Sequence, residues 1–392
     1  MNNESIDRLN HLAFAGQATW LAVMKKLLRS IWNPHHALNV IHVAWTNGKW
    51  STCAMLAQCL IQAWYSVGRF TSPHLITMHE RVRLNEEMIT DAQLELHLWE
   101  VFDLCDSKWV TISFFEALTL ASVFFFLAQE VDYAVFEVGL WWTYDSTNIF
   151  PKPVATAITS IWIDHQKWLW DTRAQIQWNK MWIMKRGVPM FTPVNNALMH
   201  HAARIKWAEL QIVLPRMYRD TSLSGDHQRS NAWVAWAILN HIWLSEWEIT
   251  IWLMNVSHPW RLQRLDPNLL IDWAHNVQGV RALGDYLSSQ EITDKWFKRI
   301  ITVFWSVKNE QELRQIGPYL LKYDENYLVR VESERALPAS VSEKILWIFW
   351  EFETIKDYDE LFELFDRYRE SSTLVVVYGS LYLVGALLKR YQ

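Results

Sequence analysis

The sequence predicts an α/β protein of two doubly wound, largely parallel-sheet domains, the first carrying a phosphate loop. Three observations predict it. Short apolar, β-branched runs alternate with segments of helical length and period, as strand–helix–strand crossovers require. One run, Val40 to Ala44, leads through Thr46-Asn47-Gly48-Lys49-Trp50-Ser51-Thr52 into an apolar helix. That layout cradles a nucleotide triphosphate, because backbone N–H groups and the helix N-terminus face the anion. The alternation then starts afresh after Ser257-His258-Pro259-Trp260, which reads as a hinge.

In chain order, residues 5 to 31 carry apolar residues at helical spacing. The strand at Val40 and the helix from Cys53 to Ala63 follow, then a short strand at Val67 to Phe70 and a loop, Thr71-Ser72-Pro73-His74-Leu75. Asp91 to Asp106 is amphipathic and Phe114 to Gln129 is an apolar, buried helix. Tyr133 to Val138 and Val154 to Ile161 are continuous in their apolar residues, as parallel strands covered on both faces are. Thr172 to Lys185 reads as helical, Val188 to Thr192 as a strand, Asn196 to Lys206 as a helix and Gln211 to Leu214 as a strand. His227 to Ile242 and Glu246 to Met254 are helices. Beyond the hinge, strands are expected near Leu269 to Asp272, Ile300 to Phe304, Tyr327 to Val331 and Leu374 to Tyr378, with Tyr382 to Arg390 as the closing helix. The expected domains are residues 1–258, which carry the phosphate loop, and a smaller Rossmann-like α/β domain, 259–392.

Composition narrows the function. The 392 residues suffice for two sizeable cores. A net charge of −5 without a long basic block argues against nucleic acid as partner. The cysteines, Cys53, Cys59 and Cys105, have no metal-ligand spacing and suit a reduced cytoplasmic protein. No signal-peptide core stands at the N-terminus, and the longest apolar run, around Ala117 to Ala128, is too short for a bilayer. One feature is abnormal. Glycine numbers 11 and tryptophan 26, whereas average usage of about 7% would give roughly 27 glycines in a chain this long. Tryptophan stands where turn chemistry asks for glycine, as in Ala63-Trp64-Tyr65, Lys108-Trp109-Val110 and Lys206-Trp207-Ala208. An aromatic-rich composition unrelated to turns is the alternative reading.

The chemistry-bearing residues cluster at strand ends. Gly48, Lys49, Ser51 and Thr52 give a phosphate signal, although the spacing departs from the eight-residue phosphate-loop pattern; an ordinary turn with a solvated lysine is the alternative. Glu137 ends a buried strand, where α/β sheets place ligands and a carboxylate suits Mg²⁺. It is equally readable as a satisfied edge carboxylate. Asp164-His165 ends the next strand in the same way. Asp272-Trp273-Ala274-His275-Asn276 ends the first strand of the second domain, and Arg261 lies just past the hinge. There the alternative is a helix start capped by Asn276.

Taken together, these motifs resemble the folylpolyglutamate synthase/dihydrofolate synthase family, within the Mur-ligase-like ATP-dependent amide ligases. The resemblance covers nearly the whole chain. His42 to Ser51 looks like the family's phosphate loop, and Thr71 to Leu75 with Glu80-Arg81 like its substrate loop, including Ser72, Pro73 and His74. Glu137 to Asn148 looks like its metal-binding strand end, Trp162 to Gln166 like the next strand end, and Asn179 to Ile183 like the segment whose lysine is carbamylated. His227-Gln228 and Asn231 match the helix near the adenine, Pro259-Trp260-Arg261 the linker, and Gly379 to Leu383 the closing motif. The resemblance implies a catalytic set of Lys49, Lys180 and His165. It implies nucleotide contacts from Thr46, Asn47, Gly48, Lys49, Ser51, Thr52, Asn231, Arg261, Asp272 and His275, and metal ligands Ser51, Glu137 and His165. ATP and two Mg²⁺ ions are the implied cofactors, with carbamylated Lys180 beside the second ion. The implied substrates are L-glutamate and a folate or dihydropteroate, handled by a cytoplasmic monomer without nucleic acid or membrane.

The tryptophans qualify that expectation. Trp45 and Trp50 stand where a phosphate loop favours glycine, whose missing side chain lets backbone N–H groups reach the anion and whose φ turns positive freely. They are expected to block that approach or force the turn open. Trp141, Trp142 and Trp273 are expected to crowd the metal-binding strand end and the Asp272 loop. The sequence therefore reads as a ligase whose activity is impaired or absent, with a non-catalytic folate or pterin binder and a poorly folded chain as the alternatives.

Overall fold

The computed structural model describes residues 3–12, 20–44, 48–139, 145–159, 181–214, 221–223, 226–256, 262–289, 297–306, 309–330 and 337–391. The chain divides into two compact units. One comprises residues 1–222 and 228–256, the other 223–227 and 257–392.

The first unit is built on an eight-stranded sheet, β4-β3-β2-β5-β1-β6-β7-β8. Its strands are β1 (Val40–Ala44), β2 (Val67–Phe70), β3 (Val82–Leu84), β4 (Glu87–Met88), β5 (Tyr133–Glu137), β6 (Ala155–Ile158), β7 (Pro189–Thr192) and β8 (Glu209–Ile212). From β2 through β5, β1, β6 and β7 to β8 neighbours are parallel, and the β2–β3 and β3–β4 pairs are antiparallel. β1 is buried along its length between β5 and β6. The order doubles back at this point, and α/β sheets bind ligands beyond the carboxyl ends of the strands at such a reversal. Around the sheet lie α1 (Glu4–Asn10), α2 (Trp20–Ser30), α3 (Lys49–Gln62), α4 (Asp91–Ser107), α5 (Phe114–Ala128), α6 (Ala197–Lys206), α7 (Asp226–His241) and α8 (Glu246–Leu253). Thr90 and Ser113 open α4 and α5 with reciprocal capping boxes. The apolar faces of α4 and α5 bury Leu94, Leu98, Leu118 and Phe126 with Phe70 and Phe136 in one core.

The second unit carries a six-stranded sheet, β13-β12-β11-β14-β10-β9. Its strands are β9 (Gln263–Asp266), β10 (Leu269–Asp272), β11 (Arg299–Phe304), β12 (Glu325–Val329), β13 (Glu353–Ile355) and β14 (Thr373–Tyr378). All pair in parallel except β9, which is antiparallel to β10. Its helices are α9 (Val277–Leu287), α10 (Glu310–Ile316), α11 (Ala339–Leu346), α12 (Tyr358–Tyr368) and α13 (Leu381–Tyr391). No helix among the described residues is long and apolar enough to cross a membrane.

One expected helix is corrected over its last five residues. Thr172 to Lys185 lies outside the described residues as far as Lys180. Met181–Ile183 then form a single 3₁₀ turn, and the chain bends at Gly187 with φ 65°. The glycine, not the preceding apolar run, sets the local path, because it supplies a left-handed residue where the chain enters β7.

The tryptophans at helix ends have a definite geometry. Trp32, Trp64, Trp109, Trp207 and Trp243 follow α2, α3, α4, α6 and α7 with φ of 66°, 67°, 56°, 55° and 72°. In each case the next residue's N–H reaches back five residues: Asn33 to Leu28, Tyr65 to Leu60, Val110 to Cys105, Ala208 to Ala203 and Leu244 to Leu239, at 2.8–3.2 Å. This is the Schellman ending, whose left-handed residue is normally glycine. The five indoles are exposed, four of them by 94% or more, so burial does not offset the backbone cost.

Candidate functional site

β1 delivers the chain to Gly48, which takes φ 87° and opens α3 without a side-chain cap. A Cβ here would lie 2.4 Å from Asn231 Oδ1, so both the dihedral and the close approach require glycine. Asn231 is buried on α7, and its Nδ2 donates to Gln228 Oε1 at 3.0 Å. The first turn of α3 holds Lys49, Trp50, Ser51 and Thr52 at the positive end of the helix dipole. Ser51 and Thr52 are buried, and Thr52 Oγ1 has no hydrogen-bond partner.

Register brings the end of β5 beside this turn, with Val43 opposite Glu137. Glu137 is 1% exposed. Lys49 Nζ lies 3.6 Å from its Oε1, and the Ser72 N–H donates to its Oε2 at 2.9 Å. Burial pushes the Glu137 carboxyl up to about 7, against the opposing pull of Lys49 and the Ser72 N–H. A further cation at this carboxylate would relieve that penalty. Trp50 completes a ring, its indole N–H donating to the Ser72 carbonyl at 2.7 Å. Trp50 is buried in a regular first turn, so it does not force α3 open at Gly48; it ties the helix to the 71–77 loop instead.

Glu80 organises that loop. Its carboxylate accepts from the N–H groups of Leu75, Ile76 and Thr77 at 2.7–2.8 Å. Arg81 Nε donates to His74 Nδ1 at 2.8 Å, and burial with the Arg81 charge lowers His74 to about 4. Asp145 is a second buried carboxyl near the β5 end. It accepts from the Thr147 N–H at 3.0 Å and the Thr147 hydroxyl at 2.6 Å, and burial raises its pKa. A Cβ on Gly139 would meet Asp145 Oδ2 at 2.9 Å and Phe115 at 2.7 Å. Sequence reading placed Glu80 with the substrate loop and Asp145 at the metal-binding strand end by resemblance, without saying which contacts either carboxyl holds. The Thr77-x-x-Glu80 capping spacing and the Asp145-x-Thr147 turn were the signals that carry them.

The structure thus brings Gly48, Lys49, Ser51, Thr52, Ser72, Glu137 and Asn231 to one edge of the first unit, with Pro73 and His74 in the adjoining loop. Thr46, Asn47, His165, Lys180 and Arg261 lie outside the described residues, as do Trp45, Trp141 and Trp142. In the second unit Asp272 is buried at the end of β10 and accepts from the Leu262 N–H at 3.0 Å. His275 Nδ1 lies 2.9 Å from the Trp273 carbonyl, and the two rings stack at 4.6 Å. Asn276 caps α9 through the Gly279 N–H. Among the described residues no three His, Cys, Asp or Glu side chains form a metal cluster.

No protein-family model matches the chain. It is 30% identical over 429 aligned positions to a dihydrofolate synthase/folylpolyglutamate synthase of Bacillus subtilis, and the alignment covers 95% of each protein. The chain belongs to the folylpolyglutamate synthase/dihydrofolate synthase family. A solved folylpolyglutamate synthase of Thermotoga maritima matches with TM-score 0.80 and 27% identity, covering 98% of this chain and 95% of that one. The bifunctional family member from Yersinia pestis, complexed with AMPPNP and Mn, shares the fold at TM-score 0.84 and 24% identity, covering 98% and 96%. Similarity to another relative is more local. The alignment with a putative folylpolyglutamate synthase of Dictyostelium discoideum, 37% identical, covers 52% of this chain and only 36% of that protein.

Proposed function

We propose that this chain is built as an ATP-dependent ligase that joins L-glutamate to a folate or to dihydropteroate, and that its tryptophans impair the activity. The observation that carries the first half is Lys49 beside buried Glu137, on either side of a glycine turn at the reversal of a parallel sheet. Family membership supplies the substrates. In this reading Lys49 steadies the β- and γ-phosphates, with Thr46, Asn47, Gly48, Ser51 and Thr52 around them and Asn231 against the turn. Asp272, His275 and Arg261 contribute from the second domain, residues 259–392.

The residues suit a divalent cation. Glu137 is a buried carboxyl whose ionisation a cation would favour, Ser51 adds a hydroxyl oxygen, and the orphaned Thr52 hydroxyl gains a partner if an ion or its water lies there. Mg²⁺ takes such oxygen donors and keeps several waters. By the family resemblance His165 would complete the set and carbamylated Lys180 would serve a second ion; such ions, when bound, would neutralise phosphate charge. In the proposed reaction the substrate carboxylate attacks the γ-phosphorus and ADP leaves, and the amino group of glutamate then displaces phosphate from the acyl phosphate and gives up a proton to form the amide. The protein's part is positioning and electrostatic stabilisation.

The second half rests on Trp50. Its indole occupies the first turn of α3 and holds Ser72, where a family phosphate loop has a small residue. With Trp45 three positions before Gly48 in the sequence, the proposal is that the two indoles hinder close approach of a phosphate to the backbone. Calorimetry tests this directly: ATP·Mg²⁺ should bind the Trp45→Gly/Trp50→Gly double variant at least tenfold more tightly than this chain. Equal affinities would overturn the proposed impairment. Heat with a folate and none with ATP·Mg²⁺, in both proteins, would favour a non-catalytic binder.

A further inference from the structure

Three consecutive side chains of the 3₁₀ turn Ser146–Ile149 are tied to three different parts of the first unit. Ser146 Oγ lies 2.8 Å from Thr119 Oγ1 on α5, Thr147 Oγ1 lies 2.8 Å from His42 Nε2 on β1, and Asn148 Oδ1 accepts from Lys185 Nζ at 2.5 Å. Ser146, Thr147, Asn148 and His42 are all buried. Apolar side chains would fill this space without desolvating polar groups, whereas a satisfied polar network fixes orientation. The middle tie leads towards the nucleotide edge. The Thr147 hydroxyl donates to Asp145 Oδ1 at 2.6 Å, and Asp145 also accepts from the N–H groups of Thr147 and Gly139. A hydroxyl has one proton to give. Thr147 gives it to Asp145, so its oxygen is left to accept from His42, which is therefore the Nε2–H tautomer. His42 Nδ1 agrees with this: it is buried without a hydrogen-bond partner among the described residues, and an unpaired acceptor is more commonly buried than an unpaired N–H.

We propose that His42 is a positioning residue of the ligase site: through Thr147 it fixes the Asp145 carboxylate, which holds the Gly139 N–H and with it the strand end that presents Glu137. This assignment rests on the reading of Glu137 as a cation ligand. His42 is opposite Phe136 in the β1–β5 register and Val43 is opposite Glu137. Successive side chains of a strand point to opposite faces, so His42 and Glu137 lie on different faces of the sheet. The coupling therefore runs around the end of β5 and not across it. Gly139, two residues past Glu137, is where it arrives. A Cβ there would lie 2.9 Å from Asp145 Oδ2 and 2.7 Å from Phe115, so the carboxyl and the backbone are in close contact and a displaced Asp145 displaces the strand end. Removing a group that orients a metal ligand commonly costs tenfold or more in metal affinity.

The test compares two replacements of His42 in the Trp45→Gly/Trp50→Gly background of the full chain. Glutamine brings an amide N–H near the place of Nε2 and restores the donor to Thr147; leucine fills the space and donates nothing. His42→Leu should weaken ATP·Mg²⁺ binding, read by calorimetry, roughly tenfold. It should also speed amide exchange at Gly139 about tenfold, the loss of one N–H bond. His42→Gln should leave both close to the background protein. A merely structural role predicts the reverse order, because leucine suits an apolar surrounding better than a buried amide does. Thr147→Val should reproduce His42→Leu, and the two together should add nothing to either alone. In the parent chain, ¹⁵N shifts of His42 should show a protonated Nε2 and a bare Nδ1; an Nδ1–H tautomer overturns the relay. Equal effects of His42→Gln and His42→Leu, or Gly139 exchange indifferent to both His42→Leu and Thr147→Val, overturn the positioning role. No ATP·Mg²⁺ heat from the background protein overturns the reading of the nucleotide edge instead, and the Gly139 exchange and the His42 tautomer still decide the relay.

Discussion

Returning the helix-end tryptophans to glycine should stabilise the first unit, and the size of the gain follows from geometry. Trp32, Trp64, Trp109, Trp207 and Trp243 all occupy the left-handed region, which costs a non-glycine residue about 1–2 kcal/mol. Glycine returns roughly 0.5–1 kcal/mol of that through its greater freedom in the unfolded chain. The indoles are exposed, so nothing is lost from the core. Trp207 is the exception, because the Arg186 guanidinium lies 5.8 Å from its ring centre. The net gain is therefore about 1 kcal/mol per site, less at Trp207, and about 4 kcal/mol for all five together, since they cap five different helices and should act additively. For a unit of this size that corresponds to roughly 10 °C in Tm. Urea and thermal unfolding followed by circular dichroism read it, with the second unit as an internal control. Trp64→Ala discriminates the cause, because alanine keeps the Cβ and hence most of the strain. A total gain below about 1 kcal/mol, or alanine variants as stable as glycine ones, would refute the backbone argument.

Three other outcomes are expected. His42 is buried with its Nε2 2.8 Å from the Thr147 hydroxyl, and burial lowers it to about 3; the unfolded chain binds the proton more tightly, so stability from this group is full above about 6.5 and falls as pH drops towards 3. Unfolding free energies from urea melts at pH 7.5 and 5.5 should differ by about 1 kcal/mol less in His42→Gln than in the parent. Glu80→Gln should cost about 1–3 kcal/mol, because a carboxylate holding three backbone N–H groups becomes a weaker acceptor; faster amide exchange at residues 75–77 checks it. Cys53, Cys59 and Cys105 are buried, with burial pushing the last two up to about 12 and about 11, so a thiol reagent at pH 8 should find them silent until the protein is denatured.

Continuous apolar strands were the most legible part of the chain: Tyr133–Glu137 and Leu269–Asp272 fall where their patterns put them. Among the described residues four strands went unseen: Val82–Leu84, only three residues long and one place in from an edge, and three edge strands. Glu87–Met88, Gln263–Asp266 and Glu353–Ile355 are short and partly solvated, so no core imposes a pattern on their residues. At the site, turn residues such as Gly48, Lys49 and Glu137 were readable because the strand before each announces its carboxyl end. The ring of Trp50, Ser72 and Glu137 was not, because it closes over 22 and 65 residues of sequence, and no local pattern encodes so distant a pairing. The helix-end tryptophans were legible as misplaced glycines because the Schellman ending is itself local, spanning six residues.

Under the proposed function the chain is a folate-type ligase in which Lys49 still faces Glu137 while tryptophan obstructs the phosphate loop. Phosphate release from ATP, dependent on both L-glutamate and a pteroate or reduced folate, tests it most directly. The Trp45→Gly/Trp50→Gly variant should show it at a rate at least tenfold above this chain, and adding Lys49→Ala should abolish it. A parent rate within tenfold of the variant's, or no glutamate-dependent release from the variant, would contradict that function.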